Sequence, residues 1–497
     1  MTFSSSVFFF GFFPAFLVCY LVCPIKYRNW VIIFSSLSFY AWGAHSFILI
    51  VLGTCVIDFF LGTLIYESKI SIPSSLKKQG VDQLSENQKT KKTKKTNLYL
   101  FIDVLMNLGL LAYFKYFNFF IGNLNVVFSG LGINPLIFNE VLLPIGISFV
   151  IFQKATYCLD IAKGVVKPAG KFSTYIEYLF VFPQIIAGPI VRYNTIASEI
   201  EDYSCRKIDL ENVKFGFYRF AVGIFKKVWI ADVLAKYADL AFNGGAGVIP
   251  IHYCWFGAIC YTFQIYFDFS GYSDMAIGIL KILGFTIPEN FNNPYISKSI
   301  TEFWKRWHIS LTTWMREYLY IPLGGNRKGV VRTYLNQWLV FFLSGLWHGA
   351  SWNFIVWGIL HGTFICLEKI FSKQINKIPG IFRVMGTLFF VILGWVIFRS
   401  NTLGESWVFI KQMFNFSTIN IHPDVTRFMY IDGRGIFIFF IAVIISLLPA
   451  FGIYRKIKDF VTCRNKGIIF FCSVIILLLS ALKIGTAAVS PFIYFRF

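Results

Sequence analysis

Three histidines sit beside tryptophans or glycines, in surroundings where an imidazole must have a partner or a task. His348 lies between Trp347 and Gly349 in the run FFLSGLWHGASWNFIVWGILHG, residues 341–362. A neutral buried histidine suits general-base work near neutral pH. Gly345 and Gly349 remove side chains beside it and permit close approach of backbone or of a ligand. His361 recurs one helix further on, next to Gly362, and reads as a packing or orienting residue. His308 falls in SKSITEFWKRWHISLTTWMREYLYIPLGGNRKG, residues 297–329. Ser299 and Glu302 have capping-box spacing there, so a helix is expected to begin at this point and to end at Pro322 and Gly324–Gly325. At helical spacing His308 shares one stripe with Trp304, Leu311 or Thr312, and Met315. That pattern predicts an amphipathic interfacial helix and, taken alone, a structural histidine.

A second group is acidic. The stretch YTFQIYFDFSGYSDMAIGILKILGF, residues 261–285, is apolar enough to be buried in a bilayer, yet it holds Gln264, Asp268, Ser270 and Asp274. A charge at mid-bilayer costs about 2.5–3.5 kcal/mol on insertion scales. Such carboxylates either lock helices together through hydrogen bonds or mark a pathway. There is no HExxH, and the six histidines show no tight ligand spacing, so a metal site has no support. No P-loop, dinucleotide fingerprint or Gly-x-Ser-x-Gly elbow is present.

The elements that carry these residues follow from composition. Of 497 residues 56% are hydrophobic and 14% charged, against about 25% charged in an ordinary soluble domain. Runs of the length needed to span a bilayer occur near 7–23, 29–43, 46–66, 98–120, 141–161, 214–235, 250–283, 333–347, 352–371, 381–398, 435–451 and 467–485. The fold class is all-α, a polytopic integral membrane protein with about 10–12 crossings. The 173–192 stretch, cut by Pro183 and Pro189, reads as re-entrant. The formal net charge of +21 sits mostly in short polar gaps, which points to cytoplasmic loops and anionic lipid rather than nucleic acid. Placing the lysine-rich loop 67–97 inside puts the N-terminus outside, and placing the basic loop of Arg455, Lys456, Lys458, Arg464 and Lys466 inside puts the C-terminus outside as well. The cysteines lie mostly in apolar runs without a CxxC pair and read as packing residues. The organisation expected is one membrane-embedded domain: N-terminal helices over 1–135, a core over 136–372, and C-terminal helices with a closing aromatic motif over 373–497.

Five blocks carry a resemblance. LPIGISFVIFQKATYCLD (143–160), FPQIIAGPIVRY (182–193), YTFQIYFDFSGYSDMAIG (261–278), NFNNPYISKSITEFWKRWHISLTTWMREYLYIPLGGNR (290–327) and LSGLWHGASWNFIVWGILHG (343–362) resemble the membrane-bound O-acyltransferase (MBOAT) family. The similar branch is the bacterial one that O-acetylates alginate, peptidoglycan or cellulose. The resemblance implies a bundle with a funnel or tunnel and a catalytic pair, His348 and His308, which outweighs the structural reading of His308. It implies a tunnel lined by Trp304, Trp307, Asp268, Ser270, Trp347, Ser351 and His361. His348 would act as general base, and His308 would orient or polarise the acyl carbonyl. No bound cofactor is implied. The acyl donor would be acetyl-CoA or an acylated carrier on the cytosolic side, drawn by Lys305, Arg306, Arg327 and Lys328. The acceptor would be an extracytoplasmic polysaccharide, reached through a Ser-His-Asp esterase-like (SGNH) partner at the bacterial inner membrane. The ending SPFIYFRF (490–497) also resembles that branch, and it makes Tyr494 either an acyl relay or an interfacial aromatic anchor. D-alanyl transfer to teichoic acid shares the RWH and WHG elements, but YIPLGGNR favours acetyl. The rival outside this class is an envelope-precursor transporter without acyl chemistry.

Overall fold

The computed structural model describes residues 2–70, 86–185, 188–244, 249–416, 431–451, 466–486 and 490–493. Every regular element among them is helical, as expected where each peptide group must be satisfied within its own segment. Five described helices are long and apolar enough to cross a membrane: Phe47–Lys69, Thr93–Gly130, Gly380–Arg399, Gly433–Ala450 and Gly467–Thr486. The chain is a multi-pass membrane protein. The other predicted spans also form helices, among them Arg28–Ala44, Ile147–Lys163, Ile251–Ile282, Val330–His348 and Trp352–Ile370. These are shorter or carry polar groups that the bundle buries. The 173–192 stretch breaks into two short buried helices, Phe172–Phe180 and Phe182–Ile185. Much of the basic loop 67–97 lies outside the described residues.

The described chain groups into two compact units. The first holds Phe10–Asp209 with Leu280–Ile287. Its polar centre is a buried ion pair, Lys154 to Asp58 at 3.1 Å. Asn107 and Tyr175 each donate to Asp58 at 3.3 Å, so four helices share one carboxylate. Arg206 donates to the Leu283 carbonyl at 3.2 Å and to Asn29 at 2.9 Å.

The second unit holds Thr2–Phe9, Leu210–Ile279 and the chain from Pro288 onward, and it contains all three histidines singled out above. Within it, helix Val330–His348 packs closely against helix Trp352–Ile370. A Cβ at Gly345 would meet the Phe354 carbonyl and the Gly358 backbone. Gly345 therefore serves close helix packing. Gly345→Ala is expected to destabilise the protein by about 1–3 kcal/mol through overpacking, read as a lower unfolding midpoint in detergent. Gly386, where an added methyl group would have nothing within 4 Å, is the control, and Gly386→Ala should change stability by no more than about 0.5–1 kcal/mol.

Candidate active site

The single amphipathic helix predicted through His308 is broken in the structure. Helix Ile300–Arg306 stops, His308 takes a left-handed conformation (φ 44°, ψ 55°), and a second helix runs Ile309–Met315. Ser299 caps the first helix, accepting from the Glu302 N–H at 2.9 Å, while Glu302 accepts from the Lys298 N–H at 2.9 Å. The stripe of Trp304, His308, Leu311 and Met315 is thus not one helical face. All four are buried.

Asn290 supplies the reason for the break. Its carbonyl accepts from the Ile309 N–H at 2.9 Å. Its side-chain Oδ1 accepts from the Ser310 N–H at 3.2 Å and the Ser310 hydroxyl at 2.9 Å. The Asn292 N–H donates to the Arg306 carbonyl at 2.9 Å. The peptide groups freed by the kink are satisfied by this neighbouring loop, which offsets a left-handed non-glycine residue. The same Oδ1 lies 3.1 Å from His308 Nδ1. A backbone N–H can only donate, so Oδ1 is an acceptor and His308 Nδ1 carries the proton. The neutral ring then presents a lone pair at Nε2.

His348 is the last residue of helix Val330–His348, and the chain turns sharply through Gly349. A side chain at Gly349 would strike the Phe354 ring. Ser351 accepts from the Asn353 N–H at 3.3 Å and so caps the next helix. Asn353 in turn donates to the Ile397 and Ser400 carbonyls at 3.1 and 2.9 Å. The far end of the WHGAS turn is thus pinned by side-chain hydrogen bonds to backbone groups.

The three histidines are joined by tryptophans into one chain of rings. His308 faces Trp347 at 6.3 Å, and Trp347 meets His348 at 4.9 Å. His348 meets Trp357 edge-on at 5.0 Å, and Trp357 meets His361 at 4.9 Å. His361 ends on Trp304, whose Nε1 donates to His361 Nδ1 at 3.3 Å. His361 thus faces Trp304 rather than the neighbouring cavity. Trp307 stacks on Phe303 and packs against Trp395. His308, His348 and His361 are 0%, 5% and 1% exposed, so charge developing on any of them is poorly screened by water.

Beside this chain is a cavity of about 290 Å³ lined by Trp304, Lys305, Ile309, Arg316 and Ser344 among others. Ile309 follows His308, and Ser344 precedes His348 by one helical turn. Of the residues assigned to a tunnel lining, Trp304 lines this cavity; Trp307, Asp268, Ser270, Trp347, Ser351 and His361 do not. Of the basic residues assigned to the donor, Lys305 reaches it, joined by Arg316. Arg306 is engaged with Glu302 at 2.8 Å and with the Asn292 carbonyl at 3.1 Å, while Arg327 and Lys328 lie in the exposed turn beyond. The acidic pair is held by cations: Asp274 by Arg219 and Lys226, Asp268 by Lys227. Tyr494 lies outside the described residues.

A sequence model of the membrane-bound O-acyltransferase (MBOAT) family matches residues 169–404, the stretch that carries all three histidines. A protein of Azotobacter vinelandii named probable alginate O-acetylase AlgI is 39% identical over 425 residues, covering 84% of this chain and 78% of its own length. The chain belongs to the MBOAT family. It is an O-acyltransferase. The peptidoglycan O-acetyltransferase of Helicobacter pylori is 32% identical over 455 residues, covering 85% of this chain and 81% of its own. The teichoic acid D-alanyltransferase of Bacillus subtilis is 27% identical over 279 residues, which is 52% of this chain and 69% of its own. The O-acetylation relatives therefore share far more of this MBOAT chain than the D-alanyl relative does. Sequence reasoning missed Asn290, Lys227 and Phe269, whose ring meets His308 edge-on. Asn290 stands within the quoted NFNNPY block, but nothing local shows that it meets His308, 18 positions on.

Proposed function

We propose that this MBOAT protein moves an acetyl group from a cytosolic thioester to hydroxyls of an extracytoplasmic polysaccharide of the alginate or peptidoglycan type, through a separate esterase-like transferase. The observation that carries this reading is the convergence of His308 and His348 on Trp347, within a chain whose relatives are named for O-acetylation. Orientation with both termini outside the bacterial cytoplasmic membrane rests on the distribution of basic residues.

In this mechanism His348 removes the proton from an accepting hydroxyl. The oxygen attacks the thioester carbonyl, an acyl–oxygen bond forms, and the carbon–sulfur bond breaks. The proton passes from the imidazolium to the departing thiolate. His308 enters through Nε2. In the neutral tautomer set by Asn290 that atom can only accept a hydrogen bond, and the one proton of the reacting hydroxyl goes to His348. Polarising the acyl carbonyl therefore requires the protonated ring. The cavity beside Ile309 and Ser344 suits the acyl end of the donor, with Lys305 and Arg316 toward its phosphates. The imidazoles are covered, so aromatic side chains between cavity and histidines must move for the donor to reach them. The apolar surroundings exclude water that would otherwise hydrolyse the ester.

The accepting hydroxyl is that of Tyr494, which relays the group outward. Its neighbours support this reading. Phe492 packs against Phe269 at 5.9 Å, and Phe269 meets His308 edge-on at 4.8 Å. Tyr494→Phe removes one oxygen and keeps the ring. Loss of polysaccharide acetylation is expected, with the variant accumulating to normal levels in the membrane. Wild-type acetylation in that variant would return Tyr494 to the role of an anchor.

A further inference from the structure

Asp268 has a task that neither a pathway nor a helix lock accounts for. Helix Leu210–Phe225 crosses helix Ile251–Ile282 with backbones in near contact. A Cβ at Gly223 would meet the Gly271 backbone, and one at Gly278 would meet the Gly216 carbonyl. Directly after the crossing the first helix turns π-helical over Lys226–Ala231. Consecutive residues of a regular α-helix do not face the same neighbour. Here both lysines reach the opposing helix, Lys226 to Asp274 at 2.7 Å and Lys227 to Asp268 at 2.8 Å. A π-turn is a recurrent device for re-aiming side chains at working sites.

Asp274 spends both oxygens on cations, Arg219 and Lys226. Asp268 does not. Its Oδ1 pairs with Lys227, which Asp232 also holds at 2.9 Å. Its Oδ2 accepts the backbone N–H of Ile493 at 2.7 Å. Phe492 and Ile493 are each 2% exposed. Residues 490–492 have no regular structure, so no helical turn precedes Ile493 to accept its N–H, and a buried amide of this kind needs an acceptor from elsewhere. A charged acceptor is the strong choice. The Phe492 ring then sits 4.9 Å from Tyr272, which also stacks on Phe3 at 4.6 Å.

We propose that Asp268, held by Lys227, is a positioning residue that docks the 490–493 segment and sets the register from which the following residue works. The docking stands on the described contacts. Its consequence for transfer rests on the relay reading of Tyr494.

The test combines amide hydrogen exchange of the full-length protein in detergent with acetyl transfer from a labelled thioester in membranes. Asp268→Leu leaves Lys227 paired with Asp232, so no buried lysine is orphaned. Exchange of the peptide covering 490–497 is expected to speed up by about 10- to 100-fold, the range for losing a hydrogen bond to a charged group. Peptides from helix Val330–His348 should exchange at the wild-type rate, and transfer should fall. Asp268→Asn keeps one oxygen for the Ile493 N–H but turns its NH2 toward Lys227, so exchange and transfer should both fall between the leucine variant and the wild type. Should the leucine variant fail to accumulate, Asp268→Ala replaces it. Wild-type exchange in the leucine or alanine variant would overturn the docking. Fast exchange with undiminished transfer would overturn the positioning role. Tyr494→Phe separates the two readings, because an active phenylalanine variant with a slowly exchanging 490–497 peptide removes the relay and leaves the docking in place.

Discussion

Replacing His348 with glutamine is expected to lower acetyl transfer by about 10²- to 10⁴-fold, the usual contribution of a general base, while the protein still folds and inserts. Glutamine is close to histidine in size, so the box of Trp347, Trp357 and Phe398 around the ring stays filled. The loss is then chemical. His361→Gln makes the contrast. It removes the ring nitrogen that accepts the Trp304 N–H and leaves an amide oxygen able to accept in its place, so at most a hydrogen bond worth about 1 kcal/mol is lost and the effect should stay within roughly tenfold. Equal losses in the two variants would mean that the ring chain acts only as packing.

His308→Asn is the second large expected effect, and it divides structure from chemistry within one residue. Asparagine is among the residues that best tolerate a left-handed backbone. Its side-chain amide can donate to Asn290 Oδ1 as His308 Nδ1 does. What it lacks is Nε2. Folding and the paired turn at Asn290–Ser310 should therefore survive, and transfer should fall by about 10²-fold or more if Nε2 orients or polarises the acyl carbonyl. Full activity in His308→Asn would reduce His308 to a turn residue. His308→Ala, by contrast, loses the Asn290 contact as well and should lower both stability and activity.

Much of the fold was legible because lipid leaves few options. Apolar runs must be helices, and the predicted spans 333–347 and 352–371 differ little from Val330–His348 and Trp352–Ile370. The cap at Ser299 was legible from its spacing to Glu302, since capping is local. The break at His308 was not. Its apolar periodicity continues through the kink, and the cause, Asn290, acts through tertiary contacts. The π-turn at Lys226–Ala231 was hidden inside a predicted span over 214–235, because one extra residue per turn leaves composition unchanged. The candidate histidines were visible as polar residues in costly places. Their linkage through Trp347 and Trp357, and the link from Phe492 through Phe269, depend on helices far apart in sequence. Asp268 was visible for the same reason as the histidines, yet its bond to Ile493 spans 225 positions.

Inside-out membrane vesicles that hold the acceptor polysaccharide and its outer transferase offer the most direct measurement. A thioester labelled in its acetyl group is supplied to the exposed cytosolic face, and alkali-labile label on the enclosed polysaccharide is counted. With the wild-type chain, ester-linked label should accumulate while the thiol carrier remains outside; with His348→Gln it should stay at background. Equal ester labelling by the two proteins, or entry of label still bound to its carrier, would contradict acyl transfer by this histidine.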